Sequence, residues 1–307
     1  MLESFTITFS QIVVLFSFIA IGYWLKKTNK IADFFNKGLS NLLVYIFMPA
    51  ITFKSVSENF TLKVMSQYSF YLLASCVLMC FFLVVAFIIS RTFVKNKNTR
   101  DVYMYSFTFP NSGYIGNPLV LAVFGELFLF KFIVFCIPFM LLTYTFGIYI
   151  LNPNRKFNIK SICNPIIISV VLGIIAGILN IRLPGVATNI LEMSANCMAP
   201  SAMILTGIVF ASNNLIDMIS NKKIYIACAL KMVLIPAIAV VLLKVMNLPE
   251  DVSVITIVLL TLPTGLNSIV FPEAYGGDSR TGAQLCFVST VYCLFAAPLA
   301  LAFYNCL

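Results

Sequence analysis

Apolar segments of about 20 residues recur along the whole chain, and this repetition is the feature that most constrains its fold. A helix of that length spans the roughly 30 Å hydrocarbon core of a bilayer. Hydrophobic residues make up 61% of the 307-residue sequence and charged residues only 10%. Water could not solvate that much apolar surface, and no polar stretch is long enough for a soluble domain. The sequence therefore predicts an all-α integral membrane protein.

The apolar segments divide into ten predicted spans, five in each half of the chain. The first half contains residues 8–25, 38–55, 66–90, 102–124 and 128–150. The second half contains residues 163–180, 190–212, 224–246, 253–273 and 281–304.

The basic residues indicate how these spans are oriented. Alternate connections contain 14 of the 20 Lys and Arg residues: Lys26–Lys37, Arg91–Arg100, Arg155–Lys160, Lys222–Lys223 and Arg280. The opposite side has only Lys54, Lys63, Lys131, Arg182 and Lys244. The positive-inside rule then predicts a multi-pass protein of the cell membrane with both termini outside the cytoplasm. Because the basic residues form no stripe, the net charge of +9 does not indicate nucleic-acid binding.

Residues that would indicate an enzyme or a metal site are missing from the sequence. There is no His, and the nine Cys form no CxxC pair. Neither a catalytic triad nor a metal-binding motif can be assembled, so we predict no enzymatic activity, no metal and no cofactor. A channel is disfavoured because no ring of charges or repeated filter motif is present.

Weak similarities relate the two halves, residues 1–151 and 152–307, within one integral membrane domain. Met48-Pro49 in span two matches Met198-Ala199-Pro200 in span seven, and Pro138 in span five matches Pro298 in span ten. Since each half has an odd number of spans, related halves must lie in opposite orientations. The sequence therefore predicts two inverted five-helix repeats.

Spans four and nine are interrupted at matching places by residues that weaken helices. In span four, "PNSGYIGNP" contains Pro110, which should break the helix, and Pro118, which we expect to open the next half-helix. Between them we expect irregular backbone at Asn111, Ser112, Gly113, Gly116 and Asn117; in span nine we expect it at Pro263, Thr264, Gly265 and Asn267.

Paired interruptions of this kind point to the binding site of a transporter. Free N–H groups at the start of a half-helix favour an anion, and Asn side chains add uncharged donors. We therefore predict a site for a small organic anion, such as a carboxylate. The residues predicted to bind the substrate are Asn111, Ser112, Gly113, Asn117, Pro118, Pro263, Thr264, Gly265 and Asn267. A Pro/Gly kink filled by neighbouring helices is the structural alternative.

The motifs "FPNSGYIGNPLV" and "LPTGLNSIVFPEAYGGDSRTGAQLCFVSTVYCLFAAPLAL" resemble the auxin efflux carrier family in its short bacterial form. The resemblance implies ten spans in two inverted repeats with crossed, broken helices four and nine, a fold similar to those of bile-acid/sodium symporters and sodium/proton antiporters. It implies export or exchange of organic anions such as malate, malonate or an auxin. Asn111, Asn117-Pro118 and Pro263 to Asn267 would form the substrate site. A homodimer is compatible with this fold.

Lys231 is the one ionisable residue well inside a predicted span. It lies about 10 Å from the predicted cytoplasmic edge, at 1.5 Å per residue, so its side chain could snorkel to the headgroups or make a structural contact. The alternative is a functional role, as a countercharge for the anion or as a group that couples transport to protons. Coupling to sodium is disfavoured because no acidic cluster lies securely within the membrane.

Two further interpretations concern other polar residues and the overall function. Tyrosines near span ends are interpreted as interfacial anchors, and Asp278 as part of a tight turn. The alternative function is a ligand-binding sensor or receptor on a transporter-like scaffold, although such proteins usually carry a signalling domain.

Overall fold

A computed structural model describes residues 2–32, 34–61, 65–153, 164–181 and 183–306. The predicted basic connection Arg155–Lys160, together with Asp33, Lys63 and Arg182, lies outside these residues. The described chain forms thirteen helices joined by short connections. In order, they are α1 (Leu2–Lys27), α2 (Phe35–Asn59), α3 (Met65–Phe93), α4 (Lys97–Thr108), α5 (Ser112–Phe124), α6 (Glu126–Leu151), α7 (Pro165–Ile178), α8 (Gly185–Ser212), α9 (Leu215–Ile219), α10 (Lys222–Val245), α11 (Glu250–Thr261), α12 (Asn267–Tyr275) and α13 (Ser279–Tyr304).

The predicted all-α membrane class is confirmed. Seven described helices (α1, α2, α3, α6, α8, α10 and α13) are long and apolar enough to cross a bilayer, and α5 and α7 are shorter apolar helices. Each of the ten predicted spans coincides with one helix or, for spans four and nine, with two helices separated by a break. Helix α3 shows why the outer surface is apolar: Leu73, Val77 and Val84 on this helix are all more than half exposed. Such side chains belong in hydrocarbon rather than in water.

Two pairs of helices pack closely at glycine residues. Helix α1 packs along α8, where an added Cβ at Gly207 would lie 2.0 Å from the carbonyl oxygen of Ile19. Helix α7 packs along α2, where a Cβ at Gly177 would lie 2.4 Å from the carbonyl oxygen of Phe60. At both contacts the helix backbones approach closely because glycine has no side chain, as is common between membrane helices.

The remaining helices surround a core of large aromatic side chains. Phe107 of α4 and Phe130, Phe132, Phe135 and Phe139 of α6 are all essentially inaccessible. Helix α3 packs against both α4 and α6, and α13 packs against α10, α11 and α12. Helices α4, α11 and α12 of the two broken spans are thus packed within this body.

The turn before α13 is formed as the sequence suggests. Gly276 has a φ of 79°, in the left-handed region that glycine adopts without strain. Asp278 then caps α13, accepting hydrogen bonds from the Thr281 amide at 3.0 Å and from the Thr99 hydroxyl at 2.8 Å. The Asp278 carboxylate therefore connects the start of α13 to α4.

Candidate functional site

The first break separates α4 from α5. Helix α4 ends at Thr108, and the backbone of Phe109 is extended. Pro110 has no N–H to continue the helix, and α5 begins at Ser112 with a wide π-helical turn, Ser112–Gly116. The irregular backbone is therefore confined to Phe109–Asn111. The prediction of irregular backbone is wrong for Ser112, Gly113, Gly116 and Asn117, which are helical because the Asn111 cap starts the helix early.

Pro118 lies in the first turn of the regular α-helical part of α5, Asn117–Phe124, as predicted, but a π-helical turn that was not predicted precedes it. The Asn111 side chain caps that turn, since its Oδ1 accepts a hydrogen bond from the Tyr114 amide at 3.1 Å. The Asn111 carbonyl accepts the Gly116 amide at 2.9 Å. Pro118 sits where the wide turn passes into regular α-helix, a position that tolerates a missing donor.

The second break separates α11 from α12. Helix α11 ends at Thr261, and α12 begins at Asn267. Between them Thr264 is almost completely buried. Its amide donates to Ser289 Oγ of α13 at 2.9 Å, and its hydroxyl donates to the Ser106 carbonyl of α4 at 3.3 Å. Thr264 thus fixes the second break against two neighbouring helices.

The two breaks cross in direct contact. Pro110 and Thr264 form an isolated antiparallel bridge, and the Asn111 amide donates to the Pro263 carbonyl at 2.8 Å. Each break therefore satisfies backbone groups that the other leaves without helical partners. Irregular backbone within a membrane needs such protein partners, because lipid offers none.

Asn111 has a free donor at this crossing. Its side chain is only 3% exposed, and the amide nitrogen Nδ2 has no hydrogen-bond partner among the described residues. Because Oδ1 is held by the Tyr114 amide, the side chain cannot flip without losing the cap. A buried, fixed donor without a partner carries a free-energy cost of about 1–3 kcal/mol, which a ligand can relieve.

A cavity of about 90 Å³ lies beside the crossing. It has room for several water molecules, which need about 10–15 Å³ each by this measure. Its wall includes seven predicted site residues: Pro110, Asn111, Ser112, Gly113, Asn117, Gly265 and Asn267. Met48 and Thr52 of α2 and Ile166 of α7 also line it. All side chains that line the cavity are uncharged.

Three of the residues predicted to bind the substrate do not line this cavity. Pro118 is buried in α5, while Pro263 and Thr264 lie within the crossing and support it through the hydrogen bonds described above. Their contribution is to hold the backbone of the breaks in place.

Sequence reasoning missed three tyrosines of the cavity wall: Tyr105, Tyr114 and Tyr144. The hydroxyls of Tyr105 and Tyr144 lie beside the Asn267 side chain, and that of Tyr114 lies beside Ser40. The interpretation of tyrosines near span ends as interfacial anchors is wrong for Tyr105 and Tyr144. For Tyr144, the sequence signal of an interior position was the polar run "TYTFG", which forms a π-helical turn within apolar α6.

Lys231 faces the interior of the protein, so the snorkelling interpretation is wrong. The side chain is 1% exposed, and Nζ donates to the Leu262 carbonyl at 3.1 Å, next to the second break. The ammonium group also lies 5.8 Å from the centre of the Phe82 ring. The π-helical turn Leu230–Leu234 contains Lys231 and shifts the register of α10 at this point. The ammonium stabilises the C-terminal end of α11, where a partial negative charge accumulates.

Comparison with known proteins agrees with this architecture. The profile of a family described as membrane transport protein matches residues 7–301. A protein of Methanocaldococcus jannaschii described as an uncharacterized transporter is 22% identical over 302 residues, covering 94% of this chain and 96% of the relative. The resemblance to auxin efflux carriers seen in the sequence is thereby confirmed. The chain belongs to the family of membrane transport proteins related to the auxin efflux carriers.

Proposed function

We propose that this protein is a secondary active transporter that moves a small organic anion across the membrane by alternating access. The observation that carries the proposal is the Nδ2 of Asn111, which has no hydrogen-bond partner in the described part of the chain and is buried at the crossing of two helix breaks, beside a cavity. A substrate oxygen that accepts this hydrogen bond would satisfy the donor.

The uncharged wall of the cavity favours a carboxylate over a cation. Two helix N-termini, those of α5 and α12, contribute Ser112 and Asn267 to the wall, and helix N-termini carry partial positive charge. Amide and hydroxyl donors replace the water that an anion loses on entry. An uncharged wall also lets the substrate leave again, since binding to a fixed cation would be harder to reverse.

The proposal includes ten spans in two inverted repeats, residues 1–151 and 152–307. The packing of the helix pairs supports this: span one (α1) packs on span seven (α8), and span six (α7) packs on span two (α2). In both pairs the first span of one half contacts the second span of the other half, which is the symmetrical arrangement that two inverted repeats produce. Both interfaces are built around close glycine contacts. We place both termini outside the cytoplasm on the basis of the basic connections.

Alternating access requires two bodies that move around the site. The cavity lies between the α2/α7 pair, which contributes Met48, Thr52 and Ile166, and the body that holds the crossing. Lys54 of α2 pairs with Glu126 of α6 at 3.0 Å, joining these bodies a few residues beyond Thr52. We propose that this ion pair breaks when that end of the cavity opens.

Flux measurements on purified protein in liposomes test the proposed function. The protein should move mono- or dicarboxylates, scanned as a panel under imposed proton and sodium gradients that also identify the coupling ion. Transport of amines or neutral solutes with no binding or flux of any carboxylate would contradict the anion assignment. Carboxylate binding without flux would favour the receptor alternative.

A further inference from the structure

A second, larger groove lies between α10 and α13, away from the crossing. Its volume is about 550 Å³. Among the described lining residues, Tyr292 is the one with a polar side-chain group, and the others are apolar. Buried Met232, Pro236, Ala296 and Ala300 form its floor. Phe295 and Leu299 on its rim are each 51% exposed, so the groove opens toward the surroundings of the protein.

The groove matches an acyl chain in length and in position. Along α13 it runs from Val291 to Phe303, which corresponds to about 18 Å at 1.5 Å per residue. One leaflet of a bilayer contributes about 15 Å of hydrocarbon, half of a 30 Å core. Both bordering helices are candidate membrane spans, so the groove faces hydrocarbon.

A cation lies where a lipid headgroup would be expected. Lys244, in the last turn of α10, is exposed, and its Nζ lies 4.1 Å from the centre of the Tyr304 ring. Tyr304 ends α13 and directly follows Phe303 of the groove wall. The ring therefore holds the ammonium group near the end of the groove while leaving it accessible to a phosphate.

We infer that this groove binds an anionic phospholipid, with an acyl chain along α13 and the headgroup phosphate near Lys244. The apolar wall provides contact area for the chain, and the lysine selects the charged headgroup. An apolar face without the cation would bind lipids without regard to headgroup.

Tryptophan fluorescence can test this inference, because the chain has a single Trp. Trp24→Phe removes it, and Phe295→Trp places a reporter in the groove. Phe81→Trp is the matched control, because Phe81 is a 43% exposed aromatic residue near the middle of α3. The full chain is reconstituted in mixtures of phosphatidylcholine and phosphatidylglycerol, with brominated acyl chains on one lipid at a time, and quenching gives the relative affinity of each lipid.

The groove reporter should favour phosphatidylglycerol about three- to fivefold, the ratio expected for a lysine near a charged headgroup. Lys244→Gln should abolish this preference, and the Phe81→Trp control should show none. Equal affinity for both lipids at the two reporters, or a preference that survives Lys244→Gln, would overturn the inference. Weak quenching of the groove reporter by both lipids, in a protein that migrates as a dimer, would also overturn it by assigning the groove to a second copy.

Discussion

Asn111→Asp is the sharpest test of how the site binds its substrate. The substitution replaces the free donor Nδ2 with an acceptor and keeps Oδ1, which caps α5 through the Tyr114 amide. Asp and Asn are about equally good caps, and a carboxylate is favoured at a helix N-terminus, so we expect the variant to fold.

The expected loss follows from the single hydrogen bond that is removed. A hydrogen bond to a charged group contributes about 1.5–3 kcal/mol. At 1.4 kcal/mol for each factor of ten, Asn111→Asp should weaken binding of the anion about 10- to 150-fold, before any charge repulsion is added. The loss should appear as a raised dissociation constant and a lower initial rate of uptake.

The assay is carboxylate binding and uptake by the purified protein in liposomes. Asn98→Asp is the matched control, because Asn98 is exposed in the first turn of α4 and lies outside the predicted spans and the cavity wall. The control should bind and transport like the unmodified protein. Unchanged affinity of Asn111→Asp would refute the assignment of Nδ2 to the substrate, and binding of a cationic solute but of no carboxylate by the unmodified protein would refute the anion site altogether.

Three further substitutions test the supporting structure. Lys231→Met removes the charged donor to the Leu262 carbonyl and should lower transport at least about tenfold in protein that still reaches the membrane. Lys223→Met on the same helix is the control and should leave transport unchanged. Unchanged transport and affinity in Lys231→Met would exclude a functional role for Lys231. Gly207→Ala places a Cβ 2.0 Å from the Ile19 carbonyl oxygen and should lower the melting temperature in detergent. Gly185→Ala should not, because no atom of the described residues lies within 4 Å of its added Cβ, and equal melting temperatures would argue against the α1/α8 contact. Asp278→Ala should lower the free energy of unfolding by about 1–2 kcal/mol through loss of the α13 cap, whereas Asp278→Asn should keep most of that stability. Equal losses for both variants in denaturation experiments would show that the cap does not explain the loss of stability.

The positions of the breaks were predictable because proline and glycine act locally. Pro110 removes a donor from its own helix wherever that helix lies, so the end of α4 can be located from the sequence. The start of α5 could not be located in the same way. A wide turn capped by Asn111 begins six residues before Pro118, and the choice between the two starts depends on hydrogen bonds within the folded protein.

The cavity wall was predictable only in part. Residues at the breaks stand out in the sequence, but Tyr105 and Tyr144 resemble ordinary tyrosines near the ends of membrane helices. Their approach to Asn267 joins three different helices. No local pattern encodes a contact of this kind.

The sequence by itself determined the membrane class, the ten apolar segments and the family, because length, hydropathy and short motifs are properties of consecutive residues. Tertiary structure decided which groups meet. The bond from Asn111 to Pro263 and the bond from Lys231 to Leu262 join residues far apart in the chain. The direction of the Lys231 side chain was equally undetermined, since a lysine at that depth can reach either the headgroups or the interior. The π-helical turn of α10 and the packing around it place that side chain beside the second break.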